Sequence, residues 1–202
     1  MTQYFTETDT WLGGYYELAL ELGSRSSERL LAGLAAVWAD PDLDGAYLSR
    51  EVEPWQQQRL AITAELLQVI HLQGSHLLGL ARLPNGATIA CGTFIVREDD
   101  GPDWLGLYLP MGALGTAYSV GGYPFEPDVA NSRQWRDVID PWLAEIGSRV
   151  YDQVAYRLGL IGFEVSCEMY ADDIAASGIP ANHYPGVLWP ASGSLTYHPS
   201  TE

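Results

Sequence analysis

The sequence predicts an α+β fold, in which helices pack on one face of a mostly antiparallel sheet. Three observations lead to this prediction. Apolar residues alternate with other residues in four parts of the chain, as they do in strands with two distinct faces. Two further segments repeat apolar residues at helical spacing. Clusters of Gly, Pro, Asn and Asp separate these segments and are typical of tight turns.

The N-terminal part of the chain predicts a strand followed by a helix. Residues 15–22 alternate between an apolar face and a face that carries Glu17 and Glu21, which indicates a half-buried strand. Two consecutive serines can cap a helix over residues 27–39, because the leucine, valine and tryptophan side chains that follow form one stripe. Residues 55–73 are ambiguous, since their spacing favours a helix while the segment RLAIT also fits a strand.

The middle of the chain predicts a hairpin and a central strand. Residues 77–96 contain two apolar runs around Pro-Asn-Gly at 84–86, so that the second run, 87–96, is a strand. Residues 103–110 are apolar on both faces, which favours a strand inside the sheet. Residues 111–130 show no periodicity and predict a long loop.

The C-terminal part repeats the order of helix and strand. A helix is predicted over 141–156, and alternation over 160–168 predicts a strand in which Cys167 is buried. The two strand-to-helix halves are compatible with a duplicated, ferredoxin-like βαβ unit. The polar composition of residues 190–202 predicts a flexible tail, which leaves residues 1–189 as a single α+β domain.

Charge and composition restrict the possible functions. The chain has no lysine, ten arginines and 26 acidic residues, and its net charge is −16. Without lysine it cannot be a P-loop nucleotide-binding protein, a protein kinase or a Schiff-base enzyme. The negative charge repels nucleic acids and anionic membranes, so we expect no nucleic-acid and no membrane partner. The same charge attracts basic proteins.

The source and the compartment are also predicted from composition. Gly, Ala, Arg and Pro are abundant, which indicates a GC-rich, bacterial genome. The N-terminus lacks the basic and apolar regions of a signal peptide, and no apolar stretch is long enough to span a membrane. We therefore predict a soluble cytoplasmic protein. Its two cysteines form no CxxC pair and require no disulfide.

One local motif suggests a metal site. Residues 40–51 read DPDLDGAYLSRE, which resembles the calcium loop of EF-hand proteins over 12 of the 202 residues. The resemblance implies that Asp40, Asp42, Asp44 and Glu51 supply carboxylate oxygens to Ca²⁺. The alternative is an acidic connection between a helix and a strand, in which Asp and Gly are ordinary turn residues.

The first functional hypothesis is a non-enzymatic acidic binding protein, such as an immunity or antitoxin-type inhibitor or a regulatory subunit that engages a basic protein partner. This function needs no cofactor. The long loop over residues 112–128 is the predicted contact region, because it carries aromatic anchors and an acid. The residues expected to bind the partner are Tyr118, Tyr123, Phe125 and Glu126. The alternatives are a calcium-binding domain and a hydrolase whose carboxylate site matches no known motif.

Overall fold

An antiparallel sheet of eight strands organises the part of the protein that the computed structural model describes, residues 2–121, 134–191 and 193–201. The predicted α+β fold is confirmed. The strands are β1 (Tyr15–Ser24), β2 (Leu43–Tyr47), β3 (Leu77–Arg82), β4 (Thr88–Arg97), β5 (Pro102–Pro110), β6 (Leu158–Phe163), β7 (Gly186–Ala191) and β8 (Ser194–His198). The helices are α1 (Ser27–Trp38), α2 (Ala64–Gln73), α3 (Met111–Gly115), α4 (Arg136–Tyr151) and α5 (Ala171–Ser177). Short 3₁₀ turns occur at Thr8–Trp11 and Pro54–Gln56.

The strand order across the sheet is β2-β3-β4-β5-β1-β6-β7-β8. In the centre, β1 lies between β5 and β6 and is antiparallel to both, while β5 also pairs with β4. Consequently β4 runs parallel to β1, and β6 runs parallel to β5, each pair being separated by one strand. This is the order of two interleaved βαβ halves, as in ferredoxin-like folds. The segment that contains β2, α2 and β3 lies within the first half.

Both faces of the sheet are covered near β1. Leu18 and its neighbours on one face pack with α1 and α4 in the main core, which also includes Ile70 of α2. On the other face Ala19, Trp104 and Leu160 pack under α5 and the residues that flank it. We name residues 164–185 the covering segment. Residues 15–22 form the predicted strand, but the prediction that it is half-buried is wrong. The covering segment also buries the face that carries Glu17 and Glu21.

The strand predicted over residues 160–168 ends at Phe163. Beyond it, Glu164 and Cys167 adopt positive φ angles of 49° and 65°, which turn the chain back over the sheet. The alternating apolar pattern of the sequence extends beyond the strand because Val165, which lies in this turn, is also buried, in the small second core. Cys167 is a half-buried residue of the turn and does not lie in a strand.

Part of the predicted tail belongs to the sheet. β7 and β8 form an antiparallel hairpin, in which Leu188 is paired with Tyr197 and the turn includes Gly193 with a φ of +84°. Tyr197 packs against the main core. The many small polar residues concealed this short strand. Within the described residues, no helix is both long enough and apolar enough to cross a membrane.

Candidate functional site

The predicted contact region is described only at its beginning. Tyr118 is half-buried, and its ring packs against the main core. Tyr123, Phe125 and Glu126 lie outside the described residues. Their role in binding a partner stays a prediction.

The predicted calcium loop follows α1, as in EF-hand proteins, but its middle residues form β2. The carboxylates of Asp40 and Asp42 both accept hydrogen bonds from Arg149, at 2.7 Å and 3.2 Å. Asp44 lies 3.4 Å from a guanidinium nitrogen of Arg59. Glu51 is exposed beyond the strand. In the part of the chain that the structure describes, no three His, Cys, Asp or Glu side chains are grouped so that they could hold a metal ion.

Calcium binding at residues 40–51 stays a hypothesis with a direct test. If the loop binds, millimolar Ca²⁺ should raise the melting temperature, because the ion stabilises only the folded chain. Asp44→Ala should then abolish the rise, whereas Asp152→Ala, a control on the exposed end of α4, should keep it. Thermal unfolding with and without Ca²⁺ measures both effects. A melting temperature that Ca²⁺ leaves unchanged in the wild type would contradict the hypothesis.

Two buried glutamates on β1 hold the covering segment against the sheet. Glu17 is 0 % exposed, and its carboxylate accepts hydrogen bonds from the backbone N–H and the hydroxyl of Ser166, at 2.8 Å and 2.9 Å. Glu21 accepts a 2.7 Å hydrogen bond from the N–H of Ala171 at the start of α5. Its other oxygen lies 3.2 Å from Arg157. Both ends of the 166–171 stretch are therefore fixed by carboxylates of one strand.

Burial changes the acidity of both side chains. It raises the pKa of Glu17 to about 7, although the hydrogen bonds from Ser166 act in the opposite direction. Burial also raises the pKa of Glu21, against the effects of the Ala171 N–H and the Arg157 guanidinium. The neutral form of Glu17 therefore persists to a higher pH than that of an exposed glutamate.

The covering segment and the β4–β5 turn together form a surface that we name the acidic face. Its carboxylates belong to Glu98, Asp99, Asp100, Glu164, Glu168, Asp172 and Asp173. The Tyr170 hydroxyl donates a 3.0 Å hydrogen bond to Glu98 and so connects the two parts of this face. Among the described residues, only Arg25 and Arg157 form ion pairs with these carboxylates, at Asp99 and Asp172. The other five carboxylates have no paired cation within the described part of the chain.

A cavity of about 410 Å³ lies on the same side of the sheet, over β1, β5 and the start of β3. We name it the aromatic pocket. Its principal lining residues are Trp11, Tyr15, Leu48, Arg50, His76 and Tyr108. The ring of Tyr108 lies 5.2 Å from the rings of both Tyr15 and His76. The Tyr108 hydroxyl and Nδ1 of His76 share a 2.9 Å hydrogen bond, which fixes both rings.

Two strand glycines make room for the aromatic rings. Gly92 is paired with Tyr108, and Gly106 is paired with Phe94. A Cβ atom on Gly92 would lie 2.5 Å from the Tyr108 ring, and a Cβ atom on Gly106 would lie 2.5 Å from the Phe94 ring. The rings can therefore lie flat across the neighbouring strand, which is a common reason for glycine inside a sheet.

The two ends of the aromatic pocket have opposite electrostatic character. At one end, burial and the nearby carboxylates of Glu17 and Glu164 together raise the pKa of Tyr15 to about 12. At the other end, burial against neighbouring rings and the nearby Arg50 guanidinium lower the pKa of His76. Tyr15 thus connects the pocket to the acidic face.

The carboxylate best placed for the hydrolase alternative is that of Asp140 on α4. It accepts a 2.6 Å hydrogen bond from the Tyr16 hydroxyl, which in turn accepts one from Arg136 at 3.0 Å. Burial raises the pKa of Asp140 to about 6. The group borders a cavity of about 390 Å³. Its oxygens are engaged by the tyrosine and the arginine, an arrangement that also serves to connect α4 with β1.

Sequence reasoning missed most of this surface. The sequence places Glu17 and Glu21 on the second face of β1, but only the covering segment makes that face an interior one. The pocket residues come from four separate parts of the chain, so their proximity has no local signal. No family model matches the chain, and neither the curated proteins nor the solved structures include a significant match to it.

Proposed function

We propose that this protein is a non-enzymatic binding protein whose acidic face engages a basic protein partner, as an immunity or antitoxin-type inhibitor or a regulatory subunit does. The observation that carries the proposal is the set of five carboxylates on this face for which the described residues contain no paired cation. The net charge of −16 has the same sign and extends the attraction beyond the face itself.

The acidic face is suited to binding because its backbone is held in place. Glu17 and Glu21 fasten the covering segment from below, so the exposed carboxylates are presented on a fixed support. A partner then finds the charges already arranged, and less conformational entropy is lost on association. Because like charges repel each other on this face, a cationic partner also relieves an unfavourable interaction within the folded protein.

The predicted contact loop supplies aromatic surface that charges cannot. Complexes of this kind commonly form in two stages, in which charges guide the approach and buried aromatic side chains slow dissociation. The predicted contact loop begins next to the pocket, since Pro110 lines the pocket and residue 112 follows closely. Tyr118, Tyr123, Phe125 and Glu126 are proposed to provide the aromatic and acidic contacts of this loop with the partner.

Capture of a partner by charge-reversal variants tests this function. One variant reverses three exposed acids of the acidic face, Asp100→Arg, Glu168→Arg and Asp173→Arg. The matched control reverses three exposed acids on the outer side of α4, Asp137→Arg, Glu145→Arg and Asp152→Arg, and changes the net charge equally. Wild type and control should retain a basic protein from the native host in low salt, and the acidic-face variant should not.

Equal capture by all three proteins would place the binding surface elsewhere. Recovery of no basic protein by the wild type at low salt would contradict the proposed function itself. Because the two triple variants carry the same charge, a difference between them reports the position of the charges.

A further inference from the structure

Arg50 is unusual among the arginines of this chain. Every other arginine in the described ranges contacts a carboxylate or a backbone carbonyl oxygen, as Arg29 does with the carbonyl of Leu22. Arg50 instead lies over the ring of Trp11, 5.6 Å from its centroid. Within residues 2–121, 134–191 and 193–201, no carboxylate pairs with Arg50, which is unusual in a protein with 26 acidic residues.

That location is the wall of the aromatic pocket. The Trp11 ring below Arg50 is fixed, because its Nε1 donates a 2.7 Å hydrogen bond to the carbonyl of Phe5. Tyr15, His76 and Tyr108 bring polar atoms to the same cavity, and Leu48 and Pro110 are among its apolar walls. A volume of about 410 Å³ is within the range of small-molecule sites, which are mostly apolar with a few polar groups.

We propose that the aromatic pocket is a second binding site, separate from the acidic face, for a small molecule with one carboxylate on an aromatic or aliphatic body. The carboxylate pairs with Arg50, whose planar guanidinium suits two parallel hydrogen bonds to it. The body of the ligand lies against the rings of Trp11, Tyr15 and Tyr108.

The surroundings of the pocket favour a single negative charge on the ligand. The Glu164 carboxylate lies beside Gly14 at the rim, since a Cβ atom on Gly14 would be 2.6 Å from its Oε1. Phosphates and other multiply charged anions would be repelled by Glu164 and by the overall charge, with one arginine to balance them. A monocarboxylate needs only the one cation that the pocket provides.

Binding of matched probe molecules to the purified full chain tests the proposal. 3-Phenylpropionate and hexanoate carry one carboxylate, and 3-phenylpropanamide is the neutral counterpart of the first. We expect 3-phenylpropionate to bind at least about tenfold more tightly than the amide, as a charge-assisted hydrogen bond would produce. Hexanoate should compete for the same site. Titrations followed by NMR shifts and by tryptophan fluorescence measure these affinities.

Two arginine variants locate the interaction. Arg50→Gln should weaken 3-phenylpropionate at least about tenfold and leave the amide unchanged. Arg59→Gln, a control at another exposed arginine, should bind both probes as the wild type does. Equal affinity for acid and amide, retention of acid binding by Arg50→Gln, or no binding of either acid at millimolar concentration would overturn the proposal. Since Arg50 lies outside the acidic face, capture of a basic partner by Arg50→Gln reports on the proposed function independently.

Discussion

Replacing Glu17 with glutamine is expected to stabilise the protein by about 3 kcal/mol above pH 7 and to remove much of its pH dependence. Glu17 is fully buried on the second face of β1, and its pKa in the folded state is about 7. Glutamine is neutral at every pH, so its burial never removes a charge from water. Its side-chain oxygen can still accept the hydrogen bond that the Ser166 N–H donates to Glu17.

The sign of the effect follows from the direction of the shift. The ordinary pKa of a glutamate is 4.5, so the folded protein holds the Glu17 proton more tightly than the unfolded chain does. The stability that this proton provides is fully present below pH 4.5 and is lost as the pH rises from there through 7. The difference between the pKa of Glu17 in the folded protein and its ordinary pKa corresponds to about 3 kcal/mol of unfolding free energy, since one pKa unit is about 1.4 kcal/mol.

Urea unfolding at several pH values between 4 and 8 measures this prediction. The wild type should lose stability over that range, and Glu17→Gln should lose distinctly less. The pKa of Asp140 is also raised, to about 6, so its ionisation likewise lowers the stability as the pH rises. The variant should therefore keep a smaller decrease of stability with pH. The control Glu7→Gln changes an exposed glutamate and should follow the wild type. Parallel profiles for Glu17→Gln and the wild type would contradict the account of the buried carboxylate.

The sequence predicts those elements in which a periodic pattern and clear end signals coincide. β1, α1, the β3–β4 hairpin, β5 and α4 are of this kind, although α4 begins at Arg136, before the residue predicted. β2 lacks such a pattern because its middle residue is Gly45, which resembles a turn. Gly45 is paired with Gly79, and the buried ring of Trp38 lies across both. The strand thus depends on a contact with α1 that no local pattern contains.

The C-terminal region shows the same limit. Alternation from residue 160 onward is produced first by β6 and then by a turn whose Val165 side chain happens to point into the second core. The short strands β7 and β8 are stabilised by pairing with each other and with β6, which is a long-range property. The acidity of the candidate site was predictable from composition, but its location was not. The burial of Glu17 and Glu21 depends on a covering segment that follows about 150 residues later.

Reversing the charges of the acidic face is expected to slow association with the basic partner about 10- to 100-fold at low ionic strength, because electrostatic steering contributes factors of this size. The relevant variant carries Asp100→Arg, Glu168→Arg and Asp173→Arg. Its effect should fall mainly on the association rate, since exposed charges guide the approach, whereas buried aromatic side chains govern dissociation. The α4 control, Asp137→Arg with Glu145→Arg and Asp152→Arg, should change association much less.

Stopped-flow association of the captured partner with these three proteins, at ionic strengths from about 0.01 M to 0.5 M, tests the central claim most directly, since salt screens exposed charges over this range. We predict that the wild type and the α4 control associate fast at low salt and slow down steeply as salt increases. The acidic-face variant should associate slowly with little dependence on salt. Equal rates and equal salt dependence for the acidic-face variant and the α4 control would contradict the assignment of partner binding to the acidic face.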